Sequence, residues 1–114
     1  MTTITLKKIN LHDFLILQNV VVQLRLKALN KLQNNQVDNE YMKNVLFVDI
    51  STILFFKLRM KIENQAKSLS NFKLKIHEAI ILLQCCNDYE SSNLFEKFIT
   101  RKYFTEIHEQ ITNL

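Results

Sequence analysis

The chain has 114 residues, 47% of them hydrophobic and 23% charged, and its fifteen Lys and Arg outnumber eleven Asp and Glu to give a net charge of +4. That balance is too apolar for a disordered chain, and the length suits one domain that buries roughly 65% of its unfolded surface. Neither glycine nor proline occurs, which removes the usual residues of tight hairpins and helix C-caps and leaves helix interiors without breakers, so an all-α fold is expected.

Thr2 to Ile9 alternates enough to form a short extended lead-in, about 3–9. Asn10 then reads as an N-cap with Asp13 at the capping-box spacing. The helix that follows runs to about Gln33 and is expected to bury Leu11, Phe14, Leu15, Leu17, Val21, Leu24 and Leu32. The polar cluster Asn34 to Asn39 ends it.

Asp38 or Asn39 caps a second helix, about 40–67, with Glu40 in its first turn and Lys57, Arg59 and Lys61 toward its end, as the macrodipole favours. From Val45 to Phe56 only Asp49, Ser51 and Thr52 interrupt its apolar side chains. A helix apolar all round must be surrounded, so this one is predicted to be the central helix about which the others pack. The apolar run falls short of the ~20 residues that span a bilayer.

Ser68 to Lys75 is a second lead-in, its extended part at about 70–75, followed by a short helix through Cys86 and a connection from Asn87 to Ser92. Asn93 and Glu96 repeat the capping-box spacing, and the last helix is expected to bury Phe95, Ile99, Tyr103, Ile107 and Ile111. The expected architecture is a compact four-helix bundle, a single helical domain over 1–114 made of two helical hairpins, about 1–67 and 68–114. An internal echo supports the division: Lys8–Leu17 reads KINLHDFLIL and Lys73–Leu82 reads KLKIHEAIIL. It makes the two lead-ins equivalent and able to pair as a short two-stranded ribbon.

Each histidine is followed by an acid (His12 and Asp13, His77 and Glu78, His108 and Glu109), but neighbours on a helix point about 100° apart and do not chelate one ion. No metal site and no cofactor is expected. Cys85 and Cys86, the only cysteines, are too close to staple distant segments and read as reduced, buried thiols of a cytoplasmic protein. Charge is the most informative pattern. Lys57, Arg59, Lys61, Lys67, Lys73 and Lys75 against Glu63 give +5 between residues 57 and 75, and the remainder of the chain is −1. Lys7 and Lys8 should lie at the same end of the bundle. These eight residues form the candidate binding site, a basic corner suited to phosphates or to an acidic protein face.

Arg101 and His108, with Lys102 to Ile107 between them, share a helix face two turns apart. The pair resembles the Arg-x(4 to 6)-His signature of HEPN ribonucleases, small helical bundles that usually join two such motifs across a dimer. The resemblance covers this helix alone, with Lys102 where the family commonly has a polar residue after the arginine. It implies metal-independent RNA cleavage, with Arg101 on the phosphate and His108 in acid/base work. The Asn/Ile/Lys-rich composition also resembles, in kind, that of accessory proteins of AT-rich phages and mobile elements, many of which inhibit host nucleoproteins, CRISPR effectors included. The leading expectation is therefore a non-enzymatic interaction protein that binds a host protein, ribonucleoprotein or nucleic acid through the basic corner, with no membrane partner. The HEPN-like ribonuclease and a structural or oligomerising protein, such as a homodimer, are the alternatives.

Overall fold

The structure is a computed structural model that describes residues 2–34, 37–64 and 69–114. Strand β1 (Thr3–Ile9) leads into α1 (Leu11–Asn34) and α2 (Asn39–Asn64), and strand β2 (Ser70–Lys75) leads into α3 (Ile76–Asp88) and α4 (Leu94–Thr112). The described residues are mostly helical (76%), and the two lead-ins, expected to be extended, are strands that pair antiparallel, so a two-stranded ribbon accompanies the four helices and the fold is not purely α. Alternation explains the ribbon: Ile4, Leu6, Phe72 and Leu74 are buried on one face, and their neighbours in sequence turn outward.

Helix starts follow the sequence. Asn10 Oδ1 accepts the Asp13 N–H at 2.7 Å, Asp38 Oδ1 accepts the Tyr41 N–H at 2.9 Å, and Asn93 Oδ1 accepts the N–H groups of Phe95 and Glu96. Helix α3 starts differently, because Lys75 has no acceptor to offer. Glu78 reaches back instead, its Oε1 accepting the Lys75 N–H at 2.8 Å.

The central-helix expectation is overturned. Only Ser51, Leu54 and Leu58 of α2 are buried, while Leu46 and Ile53 are exposed and Ile50 is half-buried. The core is shared instead by the inner face of the ribbon (Ile4, Leu6, Ile9, Phe72 and Leu74), by α1 (Phe14, Leu17, Val20 and Val21) and by α3 (Ala79, Leu82 and Cys85), all of them buried. Phe72 packs edge-on against Phe14 of α1 at 5.7 Å. Five residues expected in the core of α1 and α4 divide in the same way: Leu11, Leu15 and Phe95 are exposed, and Leu32 and Ile111 are half-buried.

The two halves repeat one β–α–α unit. Along the echo, Asp13 and Glu78 are buried, as are Phe14 and Ala79, Ile16 and Ile81, Leu17 and Leu82, whereas Leu15 and Ile80 are both exposed. The match continues where the sequences have diverged. Ser51–Ile62, STILFFKLRMKI, corresponds to Thr100–Ile111, TRKYFTEIHEQI: Ser51 and Thr100 are buried, and each hydroxyl donates to the carbonyl three residues before it, Val48 and Lys97. Leu54 and Tyr103 are buried in step, as are Leu58 and Ile107.

Candidate phosphate-binding ribbon

Register places the lysines. Thr3 pairs with Lys75, Ile4 with Leu74, Thr5 with Lys73 and Leu6 with Phe72, after which the register shifts and Ile9 pairs with Ser70. A bulge absorbs the shift. Lys8 adopts a left-handed backbone (φ 58°), and its N–H donates to Asn71 Oδ1 at 3.2 Å. The extra residue lets Lys7 and Lys8 both face outward in succession while Ile9 returns to the core. Lys7, Lys8, Lys73 and Lys75 therefore stand exposed on one ribbon, and neither strand contains an acid.

Helices cover the outer edges of both strands, which protects them from further pairing. On β1, Gln110 of α4 accepts the Thr5 N–H and donates to the Thr5 carbonyl at 2.8 Å. On β2, Lys57 Nζ of α2 donates to the Lys73 carbonyl at 3.2 Å, and Lys61 Nζ donates to Ser70 Oγ at 3.4 Å. Between α2 and β2 lies a crevice of about 710 Å³, lined by Lys57, Lys61, Lys73, Asn64 and Asn71 with Phe72 and Met60. It adjoins the bulge through Asn71.

The corner residues are not equivalent once placed. Lys57 Nζ donates to Glu78 Oε1 at 2.7 Å, with the Lys57 side chain 34% exposed and the Glu78 side chain 3%. Burial by itself raises the Glu78 pKa, but the Lys57 ammonium and the Lys75 N–H outweigh it and hold the carboxyl below its ordinary value. Lys57 is thus committed to the fold. Arg59 pairs with Glu63 at 2.9 Å on the surface, and the neighbouring carboxylate offsets part of its pull on an anion. Lys67 lies outside the described residues. The ribbon lysines remain the exposed positive set, with the half-buried Lys61 beside them.

Arg101 and His108 are both exposed on α4, where the His108 ring stacks on Phe104 at 5.8 Å. No hydrogen bond joins them among the described residues. His12 and His77 stand exposed on α1 and α3, His12 against Phe95 at 5.1 Å. Among the described residues no three His, Cys, Asp or Glu side chains gather to hold a metal ion, and no helix is long and apolar enough to cross a membrane. Cys85 and Cys86 are buried, and burial pushes the Cys86 thiol up to about 12 and Cys85 higher still, the latter with help from Cys86 and Asp88.

Sequence reasoning missed the bulge, whose only signal is the break in alternation at Lys7 and Lys8, and the uneven commitment of Lys57. It also missed a groove of about 940 Å³ between α1, α2 and α3, which has Leu46, Phe47, Ile50 and Ile80 within and Lys27, Lys43, Glu40 and Asp88 around it. Those charges are of both signs and give no directed field. No protein-family model, no curated protein and no solved structure matches this chain.

Proposed function

We propose that the protein is an interaction protein without chemistry of its own, which binds the phosphate backbone of a nucleic acid, bare or within a nucleoprotein, through its β-ribbon. The observation that carries this reading is the pairing of two segments far apart in sequence to align Lys7, Lys8, Lys73 and Lys75, all exposed, on one ribbon whose strands contain no acid. Phosphate contacts of this kind give salt-dependent affinity with little sequence preference. An inhibitor that occupies such a surface on a host nucleoprotein is the form of the reading that the chain's composition favours.

The test is fluorescence anisotropy with labelled single-stranded RNA and duplex DNA of about 30 nucleotides, across salt from about 50 to 200 mM. The wild type should bind, and the variant Lys7→Glu, Lys8→Glu, Lys73→Glu, Lys75→Glu should not. On RNA, partial reversals should flatten the salt slope by about 0.7 for each lysine lost. A folded reversal variant that binds as tightly as the wild type overturns the reading. Cleavage of the same RNA, lost in His108→Ala, would instead establish the ribonuclease alternative, which the shared exposed face of Arg101 and His108 supports.

A further inference from the structure

Helix α2 carries an apolar face that the fold leaves uncovered. Opposite Ser51, Leu54 and Leu58, the side chains of Met42, Leu46, Ile53, Phe56 and Met60 line the outside, each between 46% and 61% exposed. With Asp49 they recur at alternating steps of four and three residues, the spacing of a seam along which two helices pack.

The second half of the chain supplies an internal control. Helix α4 repeats α2 in burial, and although exposed Phe95 stands at the place of Leu46 and exposed Phe98 at that of Asp49, at the places of Ile53, Phe56 and Met60 it has Lys102, Thr105 and Glu109, all exposed. The fold therefore accepts polar residues there. The apolar set on α2 answers to something outside the monomer.

We propose that α2 of a second copy of this chain covers this face, running antiparallel about a two-fold axis near Ile53. A single self-complementary stripe is what an isologous pair requires. Charge selects the direction. Asp49 is exposed in the first part of the helix and Arg59 in the second. Antiparallel packing brings Asp49 toward Arg59 of the partner subunit, whereas parallel packing sets Asp49 against its own copy and Arg59 against its own. The exposed Arg59–Glu63 pair holds Arg59 only weakly and does not keep it from this contact. Area agrees as well: α2 is about 39 Å long, and five half-exposed side chains at roughly 100 Å² each give about 1,000 Å² over both copies, the size at which specific interfaces begin. The dimer is independent of the ribbon reading and stands or falls without it.

Sedimentation equilibrium on the full chain at about 1 to 100 µM should show twice the chain mass. The variant Ile53→Lys, Phe56→Thr, Met60→Glu, which copies the polar face of α4, should weaken dimerisation by about 100-fold or more while keeping the helical circular-dichroism signal. If it loses that signal, Ile53→Lys alone is used with the same expectation. Asp49→Asn should weaken the dimer severalfold; a tighter dimer would overturn the antiparallel arrangement, since only parallel packing gains by losing that charge. A wild type that stays monomeric throughout, or a folded triple variant that stays dimeric, overturns the proposal.

Discussion

Asp13 and Glu78 occupy matching positions in the two halves of the chain, and each is held by the second helix of the opposite half. The Tyr103 hydroxyl of α4 donates to Asp13 Oδ2 at 2.6 Å, and Lys57 Nζ of α2 donates to Glu78 Oε1 at 2.7 Å. Both carboxylates are nearly inaccessible, at 3% and 2%. Among the described residues the side-chain donor to each buried acid comes from the other half, and the ribbon needs one strand from each. Residues 1–64 and 69–114 expressed separately should therefore lack cooperative thermal transitions, and the intact chain should unfold in one step whether followed by circular dichroism or tyrosine fluorescence.

The two ends of the Lys57–Glu78 pair should respond unequally to truncation. Lys57→Met leaves a buried carboxylate with the Lys75 N–H as its hydrogen-bond donor among the described residues and should cost about 3 kcal/mol. Glu78→Gln leaves an ammonium that reaches water and should cost nearer 1 to 2 kcal/mol. Urea denaturation of both variants checks the order.

Acid should weaken the fold through Glu78. Its pKa is lowered in the folded chain, so its contribution is present above the ordinary value of 4.5 and is lost as pH falls from there through the folded value. Glu106 acts oppositely. Burial raises its pKa against the pull of Lys102 and the Lys7 N–H, so it favours the fold most below 4.5 and less as pH rises through its folded value. Stability measured from pH 6 down to about pH 3 should fall in the wild type, and Glu78→Gln should flatten that fall.

Tyr103→Phe should cost about 2 kcal/mol, because Asp13 loses a hydroxyl donor at 2.6 Å and, among the described residues, keeps Lys102 at 4.0 Å. Burial, with Asp13 beside it, raises the Tyr103 pKa well above the ordinary value of 10. The same contact should therefore appear as a tyrosine that ionises only when strong alkali unfolds the chain, as followed by ultraviolet absorbance.

Lys8 tests the bulge. Its left-handed backbone costs a non-glycine residue roughly 1 to 2 kcal/mol. Lys8→Gly relieves that strain but adds freedom to the unfolded chain, so its stability should stay within about 1 kcal/mol of the wild type. Lys8→Val should destabilise by more than about 1 kcal/mol, since a β-branched side chain tolerates this region poorly. Thermal melts of the pair give the comparison.

What the sequence determined by itself were the features governed by a few adjacent residues. The N-caps at Asn10, Asp38 and Asn93, the absence of breakers inside helices and the period-two runs before α1 and α3 depend on local hydrogen bonding and local geometry. They fall within a few residues of their expected places. The echo of KINLHDFLIL in KLKIHEAIIL was legible for the same reason. Tertiary structure decided what depends on competition for space and for charge. Apolar residues around the whole of α2 say that it must be covered, but they do not say by what; the core formed between the ribbon's inner face, α1 and α3, and Ile53, Phe56 and Met60 were left outside. Six lysines and arginines in one stretch give a net charge, but only the fold decides that Lys57 turns to Glu78 while Lys73 and Lys75 face solvent beside Lys7 and Lys8. A buried carboxylate draws the nearest cation out of the pool, and which cation is nearest is fixed by packing between segments that the sequence keeps far apart.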